Sequence, residues 1–166
     1  DWMGRIEAYK DNPEVDGPAP PSSSVSQTIE LEAGWNLISS RVRPDPADLD
    51  SVFSGVSLSV VKNEEDERYI PAEYRNEIGQ WDSLAAYKVY TETEQTLTTE
   101  GRRVDSTTAI SLQAGWNQVP YLPSTAQSPA VAFQSVETEL VMAKDENGDT
   151  YVPAYNVNEI GTLEPG

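Results

Sequence analysis

The chain has 166 residues, with 11 Lys+Arg against 28 Asp+Glu, a formal net charge of −17, and neither His nor Cys. Those absences exclude imidazole bases and Ser-His-Asp chemistry, thiol nucleophiles, disulfides, iron–sulfur clusters and most structural zinc sites. The charge repels phosphate backbones and anionic lipid, which argues against nucleic-acid or membrane-surface partners, and no apolar run approaches the roughly 18 residues of a membrane span.

In chain order, residues 1–11 come first, and the start at Asp1-Trp2 without Met has the look of a mature or excised piece. Trp2, Arg5, Ile6, Ala8 and Tyr9 suit a strand-like arm with Ile6 and Ala8 on one face. Residues 12–26 are rich in Pro, Gly and Ser, with Pro18-Ala19-Pro20-Pro21 at their centre. This composition predicts an extended linker of roughly 45 Å for about 15 residues.

A first module is expected over residues 27–108. Ile29, Leu31 and Ala33 alternate with polar residues as in a half-buried strand, and Gly34 turns the chain into a second strand at residues 35–39. Asp45-Pro46-Ala47 reads as an N-cap with Pro at the first helical position, opening a helical turn near residues 46–53. Residues 57–62 and 68–71 flank an acidic turn as one hairpin. Residues 85–91 and 95–99, rich in Tyr, Val and Thr, form another, after which Gly101 is expected to turn the chain.

A second module is expected over residues 109–166. Ile29-Glu30-Leu31-Glu32-Ala33-Gly34-Trp35-Asn36 recurs as Ile110-Ser111-Leu112-Gln113-Ala114-Gly115-Trp116-Asn117, six of eight positions identical. Ser128-Pro129-Ala130 answers Asp45-Pro46-Ala47, while Lys62, Tyr69, Pro71 and Ile78-Gly79 are answered by Lys144, Tyr151, Pro153 and Ile160-Gly161. Asn147-Gly148 predicts a two-residue hairpin loop. Nothing answers the hairpin of residues 85–99, so this module exposes an unpaired edge and apolar surface. The expected fold class is all-β and mostly antiparallel: two tandem small sandwich- or barrel-like repeats with one short helical turn each, the second lacking its last hairpin.

The series L-x-A-G-W-N-L-I-S, then V-K-N/D with an acidic or Gly turn, then Y-x-P, then I-G resembles a tandem Gly-Trp-Asn-type β repeat module of bacterial secreted and surface proteins, many of them from Bacteroidetes and Rhodothermus, some with type IX secretion signals. The resemblance covers about residues 27–166 and implies an extracellular or cell-surface β-module. It supplies no catalytic residues.

Trp35 and Trp116 recur at the same point of the pattern and are expected in the core. Trp81, Tyr74 and Tyr155, less tied to the repeat, are the candidate exposed aromatics. Asp145-Glu146-Asn147-Gly148-Asp149 departs from an EF-hand spacing and reads as a solvated turn, leaving at most weak calcium binding. The recurring Lys62 and Lys144 are expected to lay their stems on the sheet and meet an acidic neighbour. No catalytic residue, metal ligand or organic cofactor is expected, and no enzymatic activity. The expected function is a structural subunit that self-associates into a homopolymer by strand donation from the arm. A carbohydrate-binding or adhesive module, with polysaccharide as ligand, is the alternative.

Overall fold

The computed structural model describes residues 24–165. The arm residues Trp2, Arg5, Ile6, Ala8 and Tyr9, and the Pro-rich centre of the linker, lie outside them. The described chain is all-β and mostly antiparallel, in three open sheets with no closed barrel among the described residues.

The N-terminal half contains β1 (Val25–Leu31), β2 (Gly34–Ser39), β3 (Val42–Pro44), a short helix α1 (Leu49–Val52), β4 (Val60–Lys62), β5 (Arg68–Ile70), β6 (Arg75–Asn76), β7 (Ala86–Thr91) and β8 (Gln95–Arg103). One sheet has the order β1-β8-β3 and the other β2-β7-β4-β5-β6. They share one core. Ile29, Leu31 and Leu97 of the first sheet meet Ile38, Val61, Tyr69, Tyr87 and Val89 of the second, and Leu49, Phe53 and Trp81 join the same cluster. The alternating pattern in β1 is the cause, since Gln27, Ile29 and Leu31 turn inward while their neighbours face water. Burying each such Leu or Ile contributes about 1.5–3 kcal/mol.

Two chain segments cross from sheet to sheet at adjacent corners, β1 into β2 and β7 into β8. The Thr91 hydroxyl ties the corners together by donating to the Glu32 carbonyl at 2.8 Å. β7 and β8 are therefore central strands, each paired on both sides. β7 lies between β2 and β4, and β8 lies between β1 and β3.

The C-terminal half holds a helical turn α2 (Pro129–Ala132), β9 (Ala143–Lys144), β10 (Thr150–Val152) and β11 (Val157–Asn158), with sheet order β11-β10-β9. Its local geometry matches that of the first half at several points. Gly34 and Gly115 have φ of 112° and 111°. Tyr74 and Asn156, each ending a single 3₁₀ turn (Pro71–Glu73 and Pro153–Tyr155), both have φ of 54°. Phe53 stacks on Tyr69 at 6.2 Å, and Phe133 stacks on Tyr151 at 6.4 Å.

Four expectations need correction. The first helical turn starts later than predicted, at Leu49, capped by the Asp48 carboxylate, which accepts the Ser51 N–H at 2.8 Å. Pro46 thus precedes the helix, whereas Pro129 does occupy the first turn of α2 behind Ser128. Gly101 does not turn the chain, because β8 runs through it to Arg103, with Val25 and Pro44 paired on its two sides. A Cβ at that point would overlap the Arg43 carbonyl oxygen, so Gly serves a close backbone approach. The Asn147-Gly148 pair sits in a longer loop, residues 145–149, matching residues 63–67. Asp145 Oδ1 closes that loop by accepting the N–H groups of Asn147 at 3.0 Å and Asp149 at 2.9 Å, and Gly148 takes φ of 89° where Asp66 takes 63°. Finally, Val25 and Ser26, predicted as linker, already pair with Gly101 and Glu100.

Candidate functional site

The motif Ala-Gly-Trp-Asn makes a β corner. Gly34 supplies the positive φ, and Asn36 folds its side chain back across the turn. Asn36 Oδ1 accepts the Glu32 N–H at 2.8 Å, and its Nδ2 donates to the carbonyls of Glu32 at 2.9 Å and Gly34 at 3.2 Å. Asn117 repeats this clamp with Gln113 and Gly115. The side chain satisfies backbone groups that a sharp corner leaves without ladder partners.

The clamp sets the phase of the strand that follows. Asn36 and Ile38 face inward, so Trp35 faces out and is 52% exposed, with Trp116 at 69%. Both were expected in the core, and both are corrected here. A polar Asn occupies the inward position, which reverses the alternation read from apolarity alone. Trp35 meets Tyr90 edge-on at 5.3 Å, and the Lys62 ammonium lies 5.8 Å from the Trp35 ring centroid. Lys62 also pairs with Asp66 at 2.7 Å, and together with Arg68 it holds the Asp66 carboxyl below its usual range.

Trp81 is the opposite case. It was expected among the exposed aromatics, yet it is 4% exposed. It packs at 4.4 Å from Tyr87 and 5.9 Å from Phe53. Its backbone N–H donates to the Ala47 carbonyl at 2.7 Å, just as the Leu163 backbone N–H donates to the Gln127 carbonyl at 2.8 Å. The repeat pattern does include this position, but the Trp-to-Leu change hides it from sequence comparison. Tyr74 is fully exposed, in a left-handed conformation that disfavours a bulky side chain, and Tyr155 is exposed as well.

A shallow polar groove lies between the halves, lined in part by Glu64, Glu65, Asp82, Leu112 and Asn117. Its carboxylates are solvent-exposed. Among the described residues no three or more acidic side chains are grouped to hold a metal.

The most informative surface lies in the C-terminal half. Residues 110–113 and 115–120 correspond to β1 and β2 but form no strand. In the first half those strands are held by β8 and β7. No described residue takes that place in the second half. Leu31 is 1% exposed, and its counterpart Leu112 is 38%. Ser59 donates its N–H to Tyr90 of β7 at 2.9 Å, whereas its counterpart Val141 is exposed. β4 is paired on both sides and β9 on one only. Among the described residues these three segments have no strand on that side, and Leu112 and Val141 are exposed.

Part of the second half rests on the first. Glu146 Oε2 accepts the Leu37 N–H at 3.1 Å, the Tyr121 N–H donates to Ser39 Oγ at 3.0 Å, and Gln118 Nε2 donates to the Asn63 carbonyl at 3.3 Å. The first two of these contacts cover the outer edge of β2, which would otherwise be a bare sheet edge. Comparison with protein-family models, curated proteins and solved structures finds no match for this chain.

Proposed function

We propose that this chain is a structural assembly protein of the bacterial cell surface or exterior, a filament or surface-layer subunit. Its C-terminal half takes up β-strand from a neighbouring molecule, and the arm carrying Trp2, Arg5, Ile6, Ala8 and Tyr9 is the donor. The supporting observation is the contrast between the halves, in which matching corners and hairpins surround a filled core in one and an open, apolar-lined edge in the other. An added strand pairs backbone groups and buries side chains in one step, as in donor-strand complementation. A head-to-tail contact of this kind does not close on itself, so it builds a homopolymer. In this reading the protein is a pair of repeats with no enzymatic activity and no organic cofactor. Calcium binds its acidic turns only weakly, so millimolar calcium leaves the melting temperature nearly unchanged.

Electron microscopy and sedimentation of the full chain, beside a variant lacking residues 1–20, test the proposal. Fibres or sheets from the full chain and soluble monomers from the truncated one are expected. Assembly that proceeds normally without the arm removes the arm as donor, and a full chain that stays monomeric at high concentration overturns the assembly reading. The second reading, a carbohydrate-binding or adhesive module, draws on the exposed Trp35–Tyr90–Lys62 cluster and on Tyr74. Polysaccharide binding lost on Trp35→Ala would favour it.

A further inference from the structure

The outer face of the five-stranded sheet carries two rows of side chains that the strand register sets side by side. Trp35, Tyr90 and Val60 stand opposite one another across β2, β7 and β4. Two residues along each strand, Leu37, Lys88, Lys62 and Arg68 form the next row, which reaches β5. Alternation turns both rows outward, because the intervening Asn36, Val89, Val61 and Tyr69 are buried. We infer that this face binds an acidic polysaccharide whose sugar rings carry carboxylates. The rings stack on Trp35 and Tyr90, and the carboxylates meet Lys88, Lys62 and Arg68. The inference rests on the carbohydrate-binding reading of the Trp35 cluster and names its ligand class; it is independent of strand addition.

The aromatic row is set for stacking before any ligand arrives. Tyr90 holds the Trp35 ring edge-on and the Lys62 ammonium lies over it, yet half of Trp35 stays open to water. A side chain already fixed in this way gives up little rotamer freedom on binding. The C–H groups of a pyranose carry partial positive charge and suit the electron-rich face of an aromatic ring.

The basic row adds the charge preference. Lys62 stands directly opposite Lys88 on one side and Arg68 on the other, so three cations occupy adjacent strands within roughly 10 Å. Like charges placed directly opposite across a sheet are destabilising. Asp66 offsets two of them, pairing with Lys62 at 2.7 Å and Arg68 at 3.0 Å. Lys88 is exposed and has no ion-pair partner among the described residues. Glu146 stands at the far margin, on the Leu37 N–H. A chain of net charge −17 thus gathers three of its 11 Lys+Arg beside its exposed aromatic pair. A neutral glycan would use the aromatic row alone, and a polyanion without rings would use the cations alone. A carboxylated sugar chain uses both, through stacking and charge-assisted hydrogen bonds. The second half keeps the Trp and the Lys, as Trp116 and Lys144, but pairs Lys144 with Thr150 where Lys62 has Arg68, so the site belongs to the first half.

Binding of the full chain to immobilised oligogalacturonate tests this. The assay uses about 0.15 M sodium chloride, where repulsion from the rest of the acidic surface reaches only about 8 Å. The comparison ligands are the same oligomer with its carboxylates reduced to alcohols, and polyglutamate. Each is expected to bind about tenfold more weakly than the uronate, or less. Trp35→Ala and Lys88→Gln should each weaken uronate binding by about tenfold, while Trp116→Ala leaves it unchanged. Circular dichroism matching the parent chain shows that each variant is folded, and Lys88→Gln alters only an exposed side chain. Equal affinity for the uronate and its reduced form overturns the acidic ligand and leaves the carbohydrate reading standing. Polyglutamate binding as tightly as the uronate overturns the stacking role, and with it the inference. Uronate binding that survives both Trp35→Ala and Lys88→Gln overturns the site. No binding to either sugar removes the inference and the carbohydrate reading together, and sedimentation of the same sample judges strand addition separately.

Discussion

At the residue scale the three described tryptophans, Trp35, Trp81 and Trp116, divide by the direction their backbone imposes. Trp81→Ala removes a ring enclosed by Phe53 and Tyr87 and should cost about 3–5 kcal/mol in urea unfolding. Trp35→Ala loses mainly the edge contact with Tyr90, about 0.5–1.5 kcal/mol. Trp116→Ala, more exposed still, should be close to neutral in the isolated chain. Equal losses for Trp81 and Trp35 would contradict the orientation set by the Asn36 clamp. Tyr69 gives a prediction in pH. Burial, with the bond its hydroxyl donates to Asp50 at 2.8 Å, pushes it up from 10.0 to about 12. The unfolded chain releases this proton near pH 10 while the folded chain retains it. The contribution is thus full below pH 10 and is lost as pH rises towards 12. Burial raises Tyr87 in the same direction. Urea midpoints should hold steady to about pH 10 and then fall. Tyr69→Phe should cost about 1 kcal/mol at neutral pH and make that fall less steep. An unchanged alkaline profile would show that Tyr69 is not the group responsible.

At the element scale the test is Gly101. Its substitution by Ala forces β3 and β8 apart at the centre of a three-stranded sheet. The expected loss is about 1–3 kcal/mol, with faster amide exchange at Val42 and Arg43. A neutral Gly101→Ala would mean that the strands separate without penalty. The same position shows where sequence reasoning fails. Alternation revealed β1, β7 and β8, and the repeated Lys, Tyr-x-Pro and Ile-Gly signals located both short hairpins. Gly101 reads as a turn because a close backbone approach leaves no trace in the local pattern. Helix α1 is displaced because Asp45 and Asp48 are both competent caps and only the fold chooses Asp48. The Asn147-Gly148 pair misleads because the Asp145 side chain stabilises a five-residue loop instead. Trp35 misled because the buried Asn36 looks like a surface residue, and Trp116 because Asn117 makes the same clamp. The two matching corners, in contrast, were legible, since Ala-Gly-Trp-Asn recurs and Gly34 and Gly115 take nearly the same positive φ.

At the scale of the whole molecule, charge decides how two copies meet. Each chain carries −17, so copies repel as they approach, and the repulsion extends over about 30 Å at 0.01 M salt but only about 8 Å at 0.15 M. Strand addition itself rests on backbone hydrogen bonds and apolar burial, both short-ranged and little affected by moderate salt. The two contributions therefore separate on a salt titration. Self-assembly should be slow or absent at 0.01 M and should accelerate as screening grows, levelling off once the screening length is shorter than the spacing between charges. Divalent cations should act at lower concentration than sodium through stronger screening, with magnesium and calcium nearly equivalent. Light scattering across a sodium chloride series, repeated with each divalent salt at matched ionic strength, measures this directly. The sign of the response also reports the partner. A basic partner would be drawn to this acidic surface and would bind best at low salt, so assembly between like copies predicts a slope opposite to that of binding to a basic protein. Assembly that weakens steadily with added salt would therefore exclude the homopolymer and direct the search to a cationic neighbour. A large advantage of calcium over magnesium would instead show that the acidic turns bind the ion specifically.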